Sequence, residues 1–135
     1  MTYFKLLGGL RSLVGQNLPD AYAEISLGAL QFTTSVVKNT QDPVWEDDFK
    51  AIFLLDSTIG HEIHFNFYDE DSFTRDQFLG KIIRKVEDLP TKELIEESWD
   101  LMDDAKENDS KHPIDVSGHA NIQLEYLSLS PSEVL

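Results

Sequence analysis

Apolar and polar residues alternate with a period of two along most of this chain, as they do in β-strands that bury one face. The alternation is clearest at Tyr22–Leu27 and Asn121–Leu127, and β-branched residues are frequent at Phe32–Val37. With the segment that opens the chain, the pattern predicts about eight short strands, the others covering residues 49–54, 61–68, 78–86 and 98–101. Such spacing favours an antiparallel sandwich or barrel.

One short helix is predicted between two late strands, over residues 89–97. Thr91 is suited to cap its N-terminus, and Leu94 and Ile95 would form its inward patch. The segment 103–113 is polar and charged, which predicts a loop. No internal repeat is visible in the sequence, so a propeller or a solenoid is not expected.

The chain has 135 residues, which is the size of one domain with a self-sufficient core. We expect that domain to cover residues 1–128, and we expect residues 129–135 to be a tail or the start of a linker. A strand pattern that begins at once suggests a domain cut from a longer protein. The absence of cysteine excludes disulfides and thiolate metal sites and fits an intracellular origin. No apolar run approaches the ~20 residues that span a bilayer.

The charge balance is strongly acidic, with 11 lysines and arginines against 25 aspartates and glutamates and a formal net charge of −14. Nucleic-acid binding is not expected, because phosphate contacts are made by Lys and Arg. The overall charge also disfavours an anionic membrane. Five cations are too scattered to form a polybasic face, namely Lys38, Lys50, Lys81, Arg84 and Lys85. Most of the acid is interpreted as a solubilising surface.

One acidic run differs from the rest because it joins two predicted strands. It extends from Asp69 to Asp76 and follows the alternating segment 61–68. Carboxylates crowded at one end of a sheet repel one another unless a positive group lies among them. Ca²⁺ is the usual group, and it takes about six to eight oxygen ligands from flexible loops. An EF-hand is excluded because, counting from Asp69, Thr74 replaces the glycine of position six and Gly80 replaces the final glutamate.

Four segments, at residues 20–25, 39–49, 68–80 and 118–124, follow one another in an order and at a spacing that resemble those of a C2 domain, and the resemblance covers roughly residues 2–128. Residues 20–25 resemble its Asp-Pro-Tyr-Val segment, residues 39–49 its Lys-Thr-x-Asn-Pro-x-Trp-Asn-Glu-x-Phe turn, residues 68–80 its third loop, and residues 118–124 its closing Gly-x-x-x-Leu. The resemblance implies an all-β, eight-stranded antiparallel β-sandwich. A first strand that leads straight into the first loop favours the synaptotagmin-like, type I strand order. Pro43, Trp45 and Phe49 of the turn are expected to build the fold.

The resemblance also implies a set of metal ligands. C2 domains usually bind Ca²⁺ with five aspartates, two from the first loop and three from the third. Asp20 matches the second aspartate of the first loop, and Asp69 and Asp71 match the first two of the third loop. Val14 stands where the other first-loop aspartate is expected, and it offers no oxygen.

The last third-loop position departs from the pattern as well. Gln77 occupies it, and Asp76 beside it is a candidate stand-in. Three carboxylates, a backbone carbonyl, Gln77 and water would suffice for one shell of six. We therefore expect one weak Ca²⁺ site at best, and we keep open that no Ca²⁺ binds at physiological levels and that the acidic loop is vestigial.

Apolar residues near the acidic segments suggest contact with a membrane. Phe73 lies at the tip of the third loop, where membrane-docking C2 domains often carry an apolar residue, and Leu13 and Val14 form a second apolar tip on the first loop. Insertion of such side chains at the headgroup boundary would contribute a few kcal/mol by burial. The alternative for Phe73 is packing against its own loop.

No catalytic constellation is visible, since the four histidines show no HExxH pattern and no Gly-x-Ser-x-Gly elbow exists. The chain is predicted to be non-enzymatic, with two interpretations. The first is a monomeric, cytoplasmic module that docks peripherally on a phospholipid membrane, within a synaptotagmin-like or tricalbin-like protein of vesicle traffic, lipid transport or membrane contact sites. The second is a Ca²⁺-independent protein-interaction domain. Family analogy alone supports the parent proteins.

Overall fold

The computed structural model describes residues 3–14, 20–40, 42–45, 48–54, 59–104 and 118–129. Almost all regular structure in these ranges is β-strand. The elements are β1 (Tyr3–Val14), β2 (Ala21–Leu27), β3 (Leu30–Thr33), β4 (Asp48–Leu54), β5 (Glu62–Asp69), β6 (Gln77–Lys85), a 3-10 turn (Val86–Asp88), β7 (Leu94–Asp100) and β8 (His119–Leu129). The predicted all-β class is confirmed.

The strands form two four-stranded sheets with the orders β4-β1-β8-β7 and β3-β2-β5-β6. Every pairing between neighbouring strands is antiparallel. The predicted antiparallel β-sandwich is therefore confirmed. In the first sheet the final strand β8 lies beside β1 and pairs with it along most of its length.

The core lies between the inward faces of the two sheets. In β2, buried and half-buried residues alternate without interruption from Ala21 to Leu27, as the period of a strand requires. The largest fully buried side chains include Trp45, Phe65 and Phe67. Burial of each such ring stabilises the fold by about 1.5–3 kcal/mol. The aromatic residues that the C2 resemblance assigned to the fold thus include a true core residue, Trp45.

The helix predicted over residues 89–97 is wrong. Its second half belongs to β7, whose residues pair with β8 from Leu94 opposite Glu125 to Asp100 opposite His119. Lys92 adopts a φ of +61° and donates its N–H to the carbonyl of Tyr126 at 2.8 Å, which breaks any helix there. The one helical turn in the described part of the chain comes earlier, at Val86–Asp88.

Strand register places Asp20 and the acidic run that begins at Asp69 at the same end of the sandwich. Ala21, which follows Asp20, pairs with Asp69 at the end of β5, and Asp69 also pairs with Gln77 at the start of β6. The β5–β6 ladder shifts register between Phe67 and Tyr68, and such bulges bend a strand and redirect the side chains that follow. The acidic loop (residues 70–76) therefore leaves the sheet beside Asp20.

Candidate functional site

The acidic end of the sandwich consists of Asp20, Asn39 and residues 69–77. Asp20 donates its backbone N–H to Asp69 Oδ1 at 2.9 Å, and its carbonyl accepts the Glu70 N–H at 2.9 Å. The Asp20 carboxylate accepts the N–H of Asn39 at 2.8 Å. Asn39 has a φ of +57°, a conformation that asparagine tolerates better than most residues. These bonds join three separate segments of the chain.

Asp71 binds the backbone of its own loop. Its Oδ1 accepts the N–H of Phe73 at 2.8 Å and the N–H of Thr74 at 3.2 Å. The Phe73 N–H, followed by the hydroxyl and N–H of Thr74, lowers the pKa of Asp71 below its ordinary value. Aspartate commonly closes turns in this way. The Asp71 carboxylate thus stays ionised while it orders the residues that carry the loop tip.

Asp76 is held from two sides. Its Oδ1 accepts the N–H of Asp71 at 2.9 Å, and its Oδ2 accepts the hydroxyl of Tyr22 on β2. Both donors lower the pKa of Asp76, the Asp71 N–H more than the Tyr22 hydroxyl. Burial raises the pKa of Tyr22, and the hydrogen bond to Asp76 raises it further, as the second largest cause. The Tyr22 hydroxyl consequently remains a hydrogen-bond donor at neutral pH.

The predicted metal ligands lie at one end of the molecule but do not converge on one point. Asp20 donates its backbone N–H to the Asp69 carboxylate, and Asp71 donates its backbone N–H to the Asp76 carboxylate, so each contact involves one carboxylate and one amide. Within the described ranges, no three side chains among His, Asp and Glu form a group that would hold a metal ion. Each of the four carboxylates already accepts at least one hydrogen bond from the protein. As arranged, these residues do not fit the six to eight oxygens of a Ca²⁺ shell.

The three predicted membrane-contact residues have different surroundings. Phe73 is 96% exposed at the tip of the acidic loop, so it does not pack against its own loop. Leu13 and Val14 lie in β1, paired with Ala120 and His119, and not in the loop that follows. Their side chains are outside the described part of the structure, as are residues 15–19 of the first loop. Of the three predicted residues, Phe73 is thus the one whose side chain the structure describes, and it is exposed.

Basic residues contribute little to a lipid-binding face. Lys81 binds Asp104 at 3.2 Å. Arg84 lies 3.5 Å from Glu97 and stacks over Trp99, 5.1 Å from the ring centroid. Lys38 and Lys50 are exposed. Two of the five cations considered in the sequence are therefore engaged in contacts that join β6 to the other sheet or to the segment after β7.

Sequence reasoning missed two residues of the acidic end, Tyr22 and Asn39. Both act across long separations, since Tyr22 and Asp76 are 54 positions apart and Asn39 and Asp20 are 19 apart. The one available signal was that Tyr22 occupies an outward position of an alternating strand beside a predicted ligand. That signal places the ring on a face but does not identify its partner.

Comparison with known proteins agrees with this architecture. The C2 domain family model matches residues 8–101, and the chain belongs to the C2 domain family. Extended synaptotagmin-2-B of Xenopus laevis is 27% identical over 109 residues, which cover 81% of this chain and 11% of that protein. Cytosolic phospholipase A2 delta of Mus musculus is 28% identical over 85 residues, which cover 61% of this chain and 10% of that protein.

A solved structure shows the same fold. A C2 domain of plant extended synaptotagmin 1 superposes with a TM-score of 0.76 at 16% identity, covering 93% of this chain and 95% of that chain. The chain spans about a tenth of the length of the two protein relatives above. Among the residues that the structure describes, no helix is long and apolar enough to cross a membrane.

Proposed function

We propose that this C2 domain is a non-enzymatic module that docks on a phospholipid membrane through its acidic end. The observation that carries the proposal is Phe73, a large aromatic side chain that is 96% exposed at the tip of a hydrogen-bonded loop. Transfer of an exposed aromatic ring from water into the headgroup boundary of a membrane is favourable, because it buries apolar surface. Leu13 and Val14 are proposed as additional contacts near the first loop.

We propose that Ca²⁺ contributes one weak site or none. Asp20, Asp69, Asp71 and Asp76 are the proposed ligands, with Gln77 as a further oxygen donor. Ligation would require these carboxylates to turn towards one cation, which costs hydrogen bonds that the loop already makes. Carboxylates that are brought together repel one another unless a bound cation neutralises their charge. The cost of these hydrogen bonds is the reason to expect weak binding or none.

The wider setting is proposed from the relatives. Extended synaptotagmin-2-B contains a matching segment that is 11% of its length, and we propose that this domain likewise belongs to a longer protein, one of trafficking or membrane tethering. We propose a single domain over residues 1–128, cytoplasmic and peripheral at a membrane, and monomeric when isolated. Residues 129–135 are the proposed tail or linker.

Co-sedimentation with liposomes, with and without Ca²⁺, tests the proposed function. We expect the domain to pellet with phosphatidylcholine vesicles in EGTA, and Ca²⁺ to increase the bound fraction modestly or not at all. Absence of binding under both conditions would contradict membrane docking and favour the alternative, a Ca²⁺-independent protein-interaction domain. A large increase that requires Ca²⁺ would contradict the weak-site proposal while supporting docking.

A further inference from the structure

Tyr22 connects the sheet to the acidic loop. Its ring stacks on Tyr68 of β5 with centroids 5.5 Å apart and planes inclined by 27°. Its hydroxyl then donates to Asp76 Oδ2, in the loop that follows β5. Stacking limits the positions that the ring can take, because aromatic pairs prefer offset or edge-on geometries. The hydroxyl is therefore presented to Asp76 by a rigid part of the fold.

A short series of hydrogen bonds continues from Asp76 to the loop tip. Asp76 Oδ1 accepts the Asp71 N–H at 2.9 Å, and Asp71 Oδ1 accepts the N–H groups of Phe73 and Thr74 at 2.8 and 3.2 Å. The ionised carboxylates of Asp71 and Asp76 lie in the same loop and would otherwise repel each other. Here N–H and O–H donors supply the positive ends that a cation would supply elsewhere.

We propose that Tyr22 is a positioning residue that holds the acidic loop in the form presenting Phe73 without a bound cation. Its effect on membrane binding rests on the proposed function, whereas its effect on loop order does not. The hydroxyl is the group of the side chain that contacts the acidic loop. Tyr22→Phe removes that group and keeps the ring that stacks on Tyr68.

The experiment compares wild type with Tyr22→Phe in EGTA. Amide hydrogen exchange, followed by NMR, reports on the loop, and partitioning into phosphatidylcholine vesicles reports on docking. We expect exchange at Phe73 and Thr74 to accelerate about threefold or more, with exchange in the centres of β2 and β5 unchanged, and partitioning to fall. A merely structural role would accelerate exchange in the strands as well and would contradict the proposal. Unchanged exchange at Phe73 and Thr74 would also overturn it.

A second variant tests whether Tyr22 acts through Asp76. In an Asp76→Ala background the hydroxyl has lost its acceptor in the loop, so Tyr22→Phe should cause no further acceleration. Additive effects would show that the two residues act independently and would refute the inference. If Phe73→Ala binds vesicles as well as wild type, docking does not depend on Phe73, and the exchange data alone then decide the role of Tyr22.

Discussion

Replacing Phe73 by alanine should weaken membrane binding without changing the fold. The ring is 96% exposed in the free protein, so nearly all of its apolar surface is available for burial in lipid. Full burial of a phenylalanine side chain contributes about 1.5–3 kcal/mol. Since about 1.4 kcal/mol changes an equilibrium constant tenfold, the partition coefficient of Phe73→Ala should fall by about ten- to a hundredfold.

The measurement is a lipid titration followed by co-sedimentation in EGTA. Phosphatidylcholine vesicles are the appropriate membrane, because the ionised carboxylates of Asp71 and Asp76 beside Phe73 oppose anionic lipid. Ile59→Ala provides a matched control, since Ile59 is 73% exposed and precedes β5, whereas the acidic loop follows that strand. Substitution of either exposed side chain should change the free energy of unfolding by no more than about 0.5 kcal/mol.

The outcome separates insertion from other forms of attachment. If Phe73→Ala and wild type give the same partition coefficient, the ring does not enter the bilayer and the reasoning from its exposure is wrong. If Ile59→Ala weakens binding as much as Phe73→Ala, attachment depends on general surface hydrophobicity and not on the acidic end. Loss of binding in Phe73→Ala alone is the expected result.

The remaining predictions concern stability and Ca²⁺. Trp45 is 1% exposed and donates its indole N–H to the Ser35 carbonyl at 2.9 Å. Trp45→Ala should therefore lower the free energy of unfolding in urea by about 3–5 kcal/mol. A loss no larger than that of Val44→Ala, a substitution at a residue that is 59% exposed, would contradict a core role. Burial raises the pKa of Tyr126 from 10.0 to about 12, so this tyrosine loses its hydroxyl proton at lower pH in the unfolded chain than in the folded one. The free energy of unfolding should therefore fall as pH rises from 10 towards 12. Tyr126→Phe should reduce that slope, and an unchanged slope would refute the assignment. Calorimetric titration with Ca²⁺ should show one weak site at most; two tightly bound ions would show that the proposed ligand set is incomplete.

The strands were predictable because their signal is local. Alternation of buried and half-buried residues from Ala21 to Leu27 follows directly from the period of a β-strand. The helix at residues 89–97 failed because the same apolar pair, Leu94 and Ile95, suits either structure, and pairing with β8 decided between them. Tertiary pairing commonly overrides local preference over such short segments.

The candidate site was predictable only in part. Motif resemblance located Asp20, Asp69 and Asp71 at one end, and the strand register placed them there. It did not predict that Asp71 and Asp76 would turn towards N–H and O–H donors. Those contacts depend on the exact course of the loop and on the β-bulge between Phe67 and Tyr68. A sequence motif specifies neither.

If the domain docks as proposed, the balance between charge and apolar surface at the loop tip decides which membrane it can approach. At physiological salt the Debye length is about 8 Å, so most of the net charge of −14 is screened from a membrane that the tip touches. The charges that matter are then those beside Phe73. Asp71 and Asp76 remain ionised there because their donors lower both pKa values, and Arg75 opposes them with one positive charge. Hydrogen bonds order these acids without neutralising them, so the loop keeps its negative charge. In the proposed docking, burial of the Phe73 ring must therefore supply the attraction.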